Sequence, residues 1–278
     1  ENLMSKIEHD KYYTPSNVVE YVVKRTKGLL PNITEVIEPS AGGGAFIKAL
    51  EGSFDTPLRF YDLHPENDKV LKQDFLALES EYKFGRLIIG NPPFGSRNNL
   101  IIKFFKKSVT LGDYIAFILP ISQLNNTKQL YEFDLMYSED LGIKEYSGVD
   151  LHCCFNIYKR PENGLNKKPK TPDVNGLEVV EYRRDKEDSY RKKVKDGYFH
   201  SICSWGYGVG TVPKHIGYYS MELYFYSQNQ NIKDLVLSID WKKEVNSISA
   251  KKLPKGLALE IINNKLNCCQ EDNGLFDE

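Results

Sequence analysis

The first half of the chain alternates short β-rich runs with helical stretches, and this pattern constrains the fold more than any other feature. The predicted strands are 35–37, 58–61, 87–90, 114–119 and 155–158. Apolar residues at helical spacing mark helices at 17–27, 45–50 and 100–109. Because parallel strands need long crossover connections, usually helices, this alternation predicts an α/β, doubly wound sheet. Ligands of such a sheet bind at the carboxyl ends of its strands.

The composition changes near Arg160. Residues 160–176 are rich in Pro, Gly, Asn and Lys, which is typical of a linker or long loop. Three β-leaning runs follow, at 177–182, 198–212 and 218–226. The charged stretch 183–195 is predicted as a solvated helix, and a further helix is predicted after 254. The sequence therefore predicts an α/β domain over 1–160, a small β-rich region over 161–265 and a tail over 266–278.

Charge divides the chain into an acidic and a basic part. Residues 1–158 carry 17 Lys and Arg against 21 Asp and Glu, whereas residues 159–255 carry 19 against 12. A basic region can bind phosphates, although solvated surface lysines explain the same count equally well.

Composition also excludes several classes of protein. Hydrophobic residues at 41% and charged residues at 27% are ordinary globular values. No apolar run approaches the roughly 18 residues of a membrane span, and residues 1–14 lack the apolar core of a signal peptide. Four of the five cysteines form vicinal pairs and no C-x-x-C is present, which favours neither a zinc site nor a disulfide framework. We expect a cytoplasmic protein with no membrane contact and no metal.

A glycine-rich turn, EPSAGGGAF at Glu38–Phe46, follows a predicted strand and opens a helix. Gly42 and Gly44 would let the backbone approach a ligand closely, as in nucleotide-binding α/β domains. Asp62 lies 18 residues after Gly44, at the end of the next strand, where an acid commonly binds ribose hydroxyls. The alternative is a turn that only packs a helix on a strand.

The stretch RLIIGNPPFGSRNNL, residues 86–100, ends a buried strand with two prolines. Prolines donate no hydrogen bond and cannot continue a central strand. The amide oxygen of Asn91 and the carbonyl of Pro92 are acceptors in a rigid turn. A proline turn that merely ends the strand is the alternative interpretation.

Four motifs together resemble the S-adenosylmethionine-dependent amino-methyltransferases, specifically the N6-adenine DNA methyltransferases of the gamma arrangement. Residues 12–15 (YYTP) resemble the N-terminal motif of that group, and residues 38–46 resemble its methionine-binding loop. Residues 73–76 (QDFL) resemble the loop whose acid contacts the cofactor adenine. Residues 91–94 (NPPF) match the catalytic tetrad. The resemblance covers about residues 11–158.

The resemblance implies a role for each matching position. Asn91 and Pro92 would accept the two N–H bonds of the adenine amino group, whose lone pair is otherwise delocalised into the ring, and Phe94 would stack on the base. S-adenosyl-L-methionine would be the cofactor. Its implied contacts are Tyr13, Thr14, Pro15, Glu38, Ser40, Ala41, Gly42, Gly44, Phe46, Asp62, Leu63, Asp74, Phe75 and Asn91.

A base in a duplex cannot reach such a pocket while it is stacked, so the target must be flipped out or single-stranded. Phe155 falls where the family often has a second aromatic against the flipped base, although a core phenylalanine is the alternative. Arg97 could contact phosphates beside the target, or be a polar loop residue. Lys167, Lys168 and Lys170 are candidate phosphate contacts in the basic region.

The resemblance implies methyl transfer to adenine N6 in DNA, most simply double-stranded, in a restriction–modification or phage context. Residues 161–265 would then be a small basic target-recognition region. This region is shorter than the recognition domain of full gamma enzymes, so a partner subunit could complete recognition. Three alternatives stay open: adenine methylation in RNA, methylation of a protein glutamine amide, and a non-catalytic nucleic-acid-binding protein. The glycine-rich segment 204–210 (SWGYGVG) suits nucleic-acid contact or a set of tight turns.

Overall fold

The computed structural model describes residues 13–95, 98–184, 194–246 and 252–273, with the backbone alone for 246 and 268–273. The chain forms two compact units, Glu1–Pro169 and Lys170–Glu278. Much of the predicted charged stretch at 183–195, and Tyr12, lie outside the described residues.

The first unit is built on one seven-stranded sheet. Its strands are β1 (Glu35–Glu38), β2 (Leu58–Asp62), β3 (Leu71–Lys72), β4 (Arg86–Gly90), β5 (Tyr114–Pro120), β6 (Asp134–Tyr146) and β7 (Val149–Lys159). They are ordered β3-β2-β1-β4-β5-β7-β6, and all pairs are parallel except those that β7 makes with β5 and β6. The predicted α/β, Rossmann-like, doubly wound sheet is thereby confirmed.

Helices cover both faces of this sheet. They are α1 (Ser16–Leu29), α2 (Ile47–Glu51) and α3 (Asn99–Leu111). Side chains alternate along β4, so that Leu87 and Ile89 pack in one core with the valines of α1, whereas Ile88 packs in the other core with the phenylalanines of α3. The near-continuous apolar run of β4 reflects this burial on both faces.

The β6–β7 hairpin was not predicted. The sequence analysis identified 155–158 as a strand, but β7 begins at Val149 and pairs with β6 along its whole length. Ser147 and Gly148 form the turn, both with positive φ, at 53° and 78°. Such a two-residue turn matches the twist of antiparallel strands, and the Ser-Gly pair between two runs was the available signal.

The second unit has a three-stranded antiparallel sheet with helices packed on it. The strands β8 (Leu177–Arg183), β9 (His200–Cys203) and β10 (Met221–Ser227) are ordered β8-β10-β9. The helices are α4 (Gln230–Ser238), α5 (Trp241–Asn246) and α6 (Lys255–Asn273). A separate core joins this sheet to its helices. The predicted β-run 198–212 is a short strand followed by turns.

Within the described part of the chain, no helix is both long enough and apolar enough to span a membrane.

A buried ion cluster fixes the beginning of β1. Glu35 accepts hydrogen bonds from Arg86 Nε and, at 3.0 Å, from Arg59 Nε, and the Lys83 ammonium lies 3.6 Å away. Burial alone would raise the pKa of Glu35, but the hydrogen bonds from Arg59 and Arg86 outweigh it and lower the pKa. The carboxylate is therefore the stable form in the folded protein.

We expect Glu35→Gln to reduce the free energy of unfolding by about 3 kcal/mol at neutral pH, because it leaves the buried Arg86 without its charge partner. Since the pKa of Glu35 is lowered on folding, this difference should shrink as the pH falls below about 4.5 and the wild-type carboxylate is protonated. Urea titrations at several pH values measure it. Glu51→Gln removes an exposed pair with Lys69 and serves as the control, with an expected change of at most about 1 kcal/mol.

Candidate active site

Three neighbouring parallel strands bring the predicted site together. β1 lies between β2 and β4, so Glu38, Asp62 and Asn91 come at or just after the same edge of the sheet. The approach of β4 to β1 is close there, since a Cβ on Gly90 would lie 3.3 Å from Glu38 Cγ. This edge is where doubly wound sheets bind their ligands.

The Asp62 carboxylate fixes the glycine-rich turn. Gly42 N donates to Asp62 Oδ2 and His64 N donates to Asp62 Oδ1, both at 2.8 Å. Gly44 has φ +85°, and a Cβ there would lie 2.6 Å from Ile47 Cδ1, so only glycine fits. The turn is thus held in place from the neighbouring strand, and each carboxylate oxygen keeps a lone pair for a further donor.

Glu38 is a buried carboxyl group at the end of β1. Burial raises its pKa well above the ordinary value, and the negative charge of Asp62 raises it further. Among the described residues, Glu38 Oε2 has no hydrogen-bond partner. A buried polar atom without a partner is costly, so this position favours a ligand that brings a donor or a positive charge.

The segment before α1 connects the glycine-rich turn to the β6–β7 hairpin. Tyr13 N donates to Ser147 Oγ at 2.8 Å, and the Tyr13 hydroxyl donates to Glu66. The Tyr13 ring also covers the turn, because a Cβ on Gly43 would lie 3.1 Å from Tyr13 Cε1. Sequence reasoning did not identify Glu66 or Ser147, since both contacts join residues more than 50 positions from Tyr13.

Asn91 is held by two hydroxyl groups. Its Nδ2 donates to Thr14 Oγ1 at 3.1 Å, and Ser40 Oγ donates to the Asn91 backbone carbonyl at 3.2 Å. Asn91 Oδ1 is buried and has no donor within the described residues. The side-chain amide therefore presents an acceptor at the end of β4 whose hydrogen-bonding capacity is not used by the described part of the chain.

The rest of the tetrad is anchored in the core. Pro92 is buried, and the half-buried Phe94 packs against hydrophobic residues of both faces of the sheet. Pro15, just before α1, is partly exposed, and Leu63, just after β2, is largely exposed.

Several predicted cofactor residues have a structural role in this conformation. Asp74 Oδ1 accepts from Leu76 N and begins a short 3₁₀ helix. Phe75 stacks on Phe104 with ring centroids 5.3 Å apart and is buried. Phe46 and Ala41 are also core residues. These side chains are held by the fold, and their contact with a cofactor stays a prediction.

The burial of Phe155 favours the core alternative for this residue. It lies on β7 between β5 and β6, is 0% exposed and packs edge-on against Tyr137. A ring buried on this strand presents no face to a base, so the core alternative describes it.

The side chains of Lys167, Lys168 and Lys170 are exposed, and their contact with phosphates stays a prediction. Arg97 lies outside the described residues.

The described residues contain no group of three or more His, Cys, Asp and Glu side chains placed to bind a metal ion.

Several solved structures are similar to about half of this chain. A candidate RNA methyltransferase from Pyrococcus horikoshii has a TM-score of 0.45 and 15% identity over 54% of this chain and 87% of that one. A chain of a type I restriction–modification system has a TM-score of 0.41 and 17% identity over 54% and 42%. The M. jannaschii protein TYW2, in complex with AdoMet, has a TM-score of 0.37 and 18% identity over 54% and 78%.

No protein-family model matches the sequence, and no curated protein matches it either. Similarity at these identities concerns the fold alone.

We expect Thr14→Val to loosen the Asn91 amide while leaving the fold intact, because valine has nearly the same shape as the buried threonine. Exchange of the Asn91 side-chain amide protons should become several-fold faster, since one hydrogen bond contributes about 1 kcal/mol. Magnetic resonance with isotope-labelled asparagine measures it, and Asn91→Ala identifies the signal. Thr14→Ser keeps the hydroxyl and should restore slow exchange. Equal exchange in wild type and Thr14→Val would contradict this role.

Proposed function

We propose that this protein transfers the methyl group of S-adenosylmethionine to the N6 amino group of adenine in DNA. One observation carries the proposal: the Asn91 carboxamide is held by Thr14 through Nδ2, while no donor among the described residues reaches its buried Oδ1. An amino group that donates to this oxygen would satisfy it. The order of the four sequence motifs supports adenine in DNA as the acceptor.

The residues around the turn fit the proposed cofactor. The unpartnered Glu38 Oε2 suits the positively charged amino group of the methionine part. Asp62 ends β2 and keeps acceptor capacity for ribose hydroxyls after binding the Gly42 and His64 amides. When bound, the cofactor would supply an electrophilic methyl group on a sulfonium, and breaking of the methyl carbon–sulfur bond would leave S-adenosylhomocysteine.

The tetrad would activate the acceptor nitrogen by hydrogen bonding. Asn91 Oδ1 accepts one N–H of the adenine amino group, and the Pro92 carbonyl accepts the other. Two acceptors draw the nitrogen toward a tetrahedral shape and free its lone pair for the methyl carbon. Positioning and preorganised dipoles then supply most of the acceleration.

Phe94 would hold the base, because its half-buried ring is fixed by both cores of the sheet. After transfer, the nitrogen loses a proton. An amide oxygen is too weak a base to keep that proton, so it passes to water. No covalent bond between the protein and the base is required.

Nucleic acid is the proposed substrate class because the basic part of the chain exposes lysines such as Lys167, Lys168 and Lys170. A double-stranded substrate would have to release its target base from the stack. A partner subunit is proposed to complete sequence recognition.

We expect Asn91→Ala to lower the rate of methyl transfer by about 100-fold or more, the loss typical of removing one preorganised hydrogen-bonding group from an active site. Cofactor affinity should change little, because Asn91 acts on the acceptor. Transfer of labelled methyl groups to DNA, RNA and protein measures the rate, and calorimetry measures cofactor affinity.

Asn163→Ala, which alters an exposed loop residue, is the matched control and should keep full activity. An Asn91→Ala variant that methylates at the wild-type rate would refute the acceptor role. Transfer to RNA or protein but not to DNA would replace the proposed substrate.

Asp62→Ala should weaken cofactor binding by about 1–3 kcal/mol, because it removes an acceptor and releases the Gly42 amide that it orders. Calorimetric titration with S-adenosylmethionine measures the change. Asp55→Ala, at an exposed position before β2, provides the control. Unchanged affinity in Asp62→Ala would remove this carboxylate from the cofactor site.

A further inference from the structure

The connection between β9 and β10, residues 204–220, exposes an unusual amount of aromatic surface. Trp205 is 56% exposed, Tyr207 is 99% exposed and Tyr218 is 40% exposed. Val212 in the same connection is 62% exposed. Large exposed aromatic side chains close together in one segment mark an interaction surface more often than a solvated loop.

The backbone that carries these rings is firmly held. Cys203, the last residue of β9, makes two backbone hydrogen bonds with the connection. Gly210 N donates to Cys203 O at 2.9 Å, and Cys203 N donates to Thr211 O at 2.8 Å. A Cβ on Gly210 would lie 2.8 Å from Lys242 N, so the turn packs directly on the backbone of α5.

A buried carboxylate fixes the far end of the connection. Glu222 is fully buried and accepts hydrogen bonds from Gly217 N at 3.2 Å and Tyr219 N at 2.7 Å. Tyr219 in turn lies against Gly208, where a Cβ would come within 2.6 Å of its ring. The rings are therefore presented on an ordered backbone, which lowers the entropy cost of binding.

The charge of this surface is positive. Residues 204–220 contain no Asp or Glu, whereas Lys214 and His215 are exposed. The Lys214 ammonium lies 5.8 Å from the centre of the Tyr218 ring. Lys252, also exposed, pairs with Trp205 through a β-bridge. Aromatic rings beside cations match the bases and phosphates of an unpaired nucleic-acid strand.

We propose that residues 204–220 bind unpaired nucleobases by stacking on Trp205 and Tyr207, with Lys214 and Lys252 contacting the adjacent phosphates. The inference deepens the proposed function and rests on it for the class of partner, but the binding that it predicts requires no methyl transfer. DNA and RNA strands share this chemistry.

The chain offers a direct optical test, because it contains two tryptophans and the other, Trp241, is buried. The full chain is titrated with single-stranded oligothymidylate, single-stranded oligouridylate and a blunt DNA duplex while tryptophan emission is followed. We expect quenching by the single strands and weaker quenching by the duplex. If one of the two single-stranded oligonucleotides quenches the emission more strongly, that result shows whether DNA or RNA is the preferred strand.

Affinity is measured separately by the anisotropy of labelled oligonucleotides. Trp205→Ala and Tyr207→Ala should each weaken single-strand binding by about tenfold, within the range for one base stacked on an aromatic ring. Phe84→Ala is the matched control, because Phe84 is 73% exposed and lies in the first unit, before β4 begins. It should leave binding unchanged, and circular dichroism checks that all variants fold.

Absent quenching, or equal affinity in Trp205→Ala and Phe84→Ala, would overturn the proposal. The outcome is separable from that of the proposed function. A wild-type protein that methylates DNA but shows no single-strand binding rejects this surface alone. Quenching in a protein that methylates nothing supports this surface and rejects the proposed reaction.

Discussion

The parallel pairing of β1 with β2 on one side and β4 on the other is the constraint on which the candidate site depends. Parallel strands end at a common edge, so one sheet brings Glu38, Asp62 and Asn91 together although 53 positions separate the first from the last. The loops that follow these strands then fix one another. Asp62 binds the amide of Gly42, and Ser40 binds the carbonyl of Asn91.

Glu35 and Glu38, at the two ends of β1, are both buried, but their surroundings shift their pKa values in opposite directions. Glu35 is surrounded by cations that lower its pKa, and it stabilises the sheet. Glu38 is equally buried but has no cation in this role among the residues that the structure describes; burial and the Asp62 charge raise its pKa. The first group is satisfied by the protein itself, whereas the second suits a ligand. This contrast supports a binding site at the carboxyl edge.

The second unit has its own core and its own polar interior, centred on Glu222. Its aromatic connection is ordered by that carboxylate and by close backbone packing at Gly210. A rigid, exposed and positively charged surface of this kind complements a catalytic unit that would need access to an unpaired base. The proposed division of labour is chemistry in the first unit and strand contact in the second.

The sequence by itself determined the doubly wound fold, because strand and helix periodicities are local and the glycine and proline motifs restrict the backbone wherever they occur. It also predicted that Asp62 ends one strand of that sheet and that Asn91 follows another. Only the tertiary structure decided three further features. These are the contact between Thr14 and Asn91, the hairpin that carries Ser147, and the burial of Phe155. Each feature depends on which strands become neighbours in the sheet and on which face of the sheet a side chain lies. Neither property can be read from the residues close to it in the sequence.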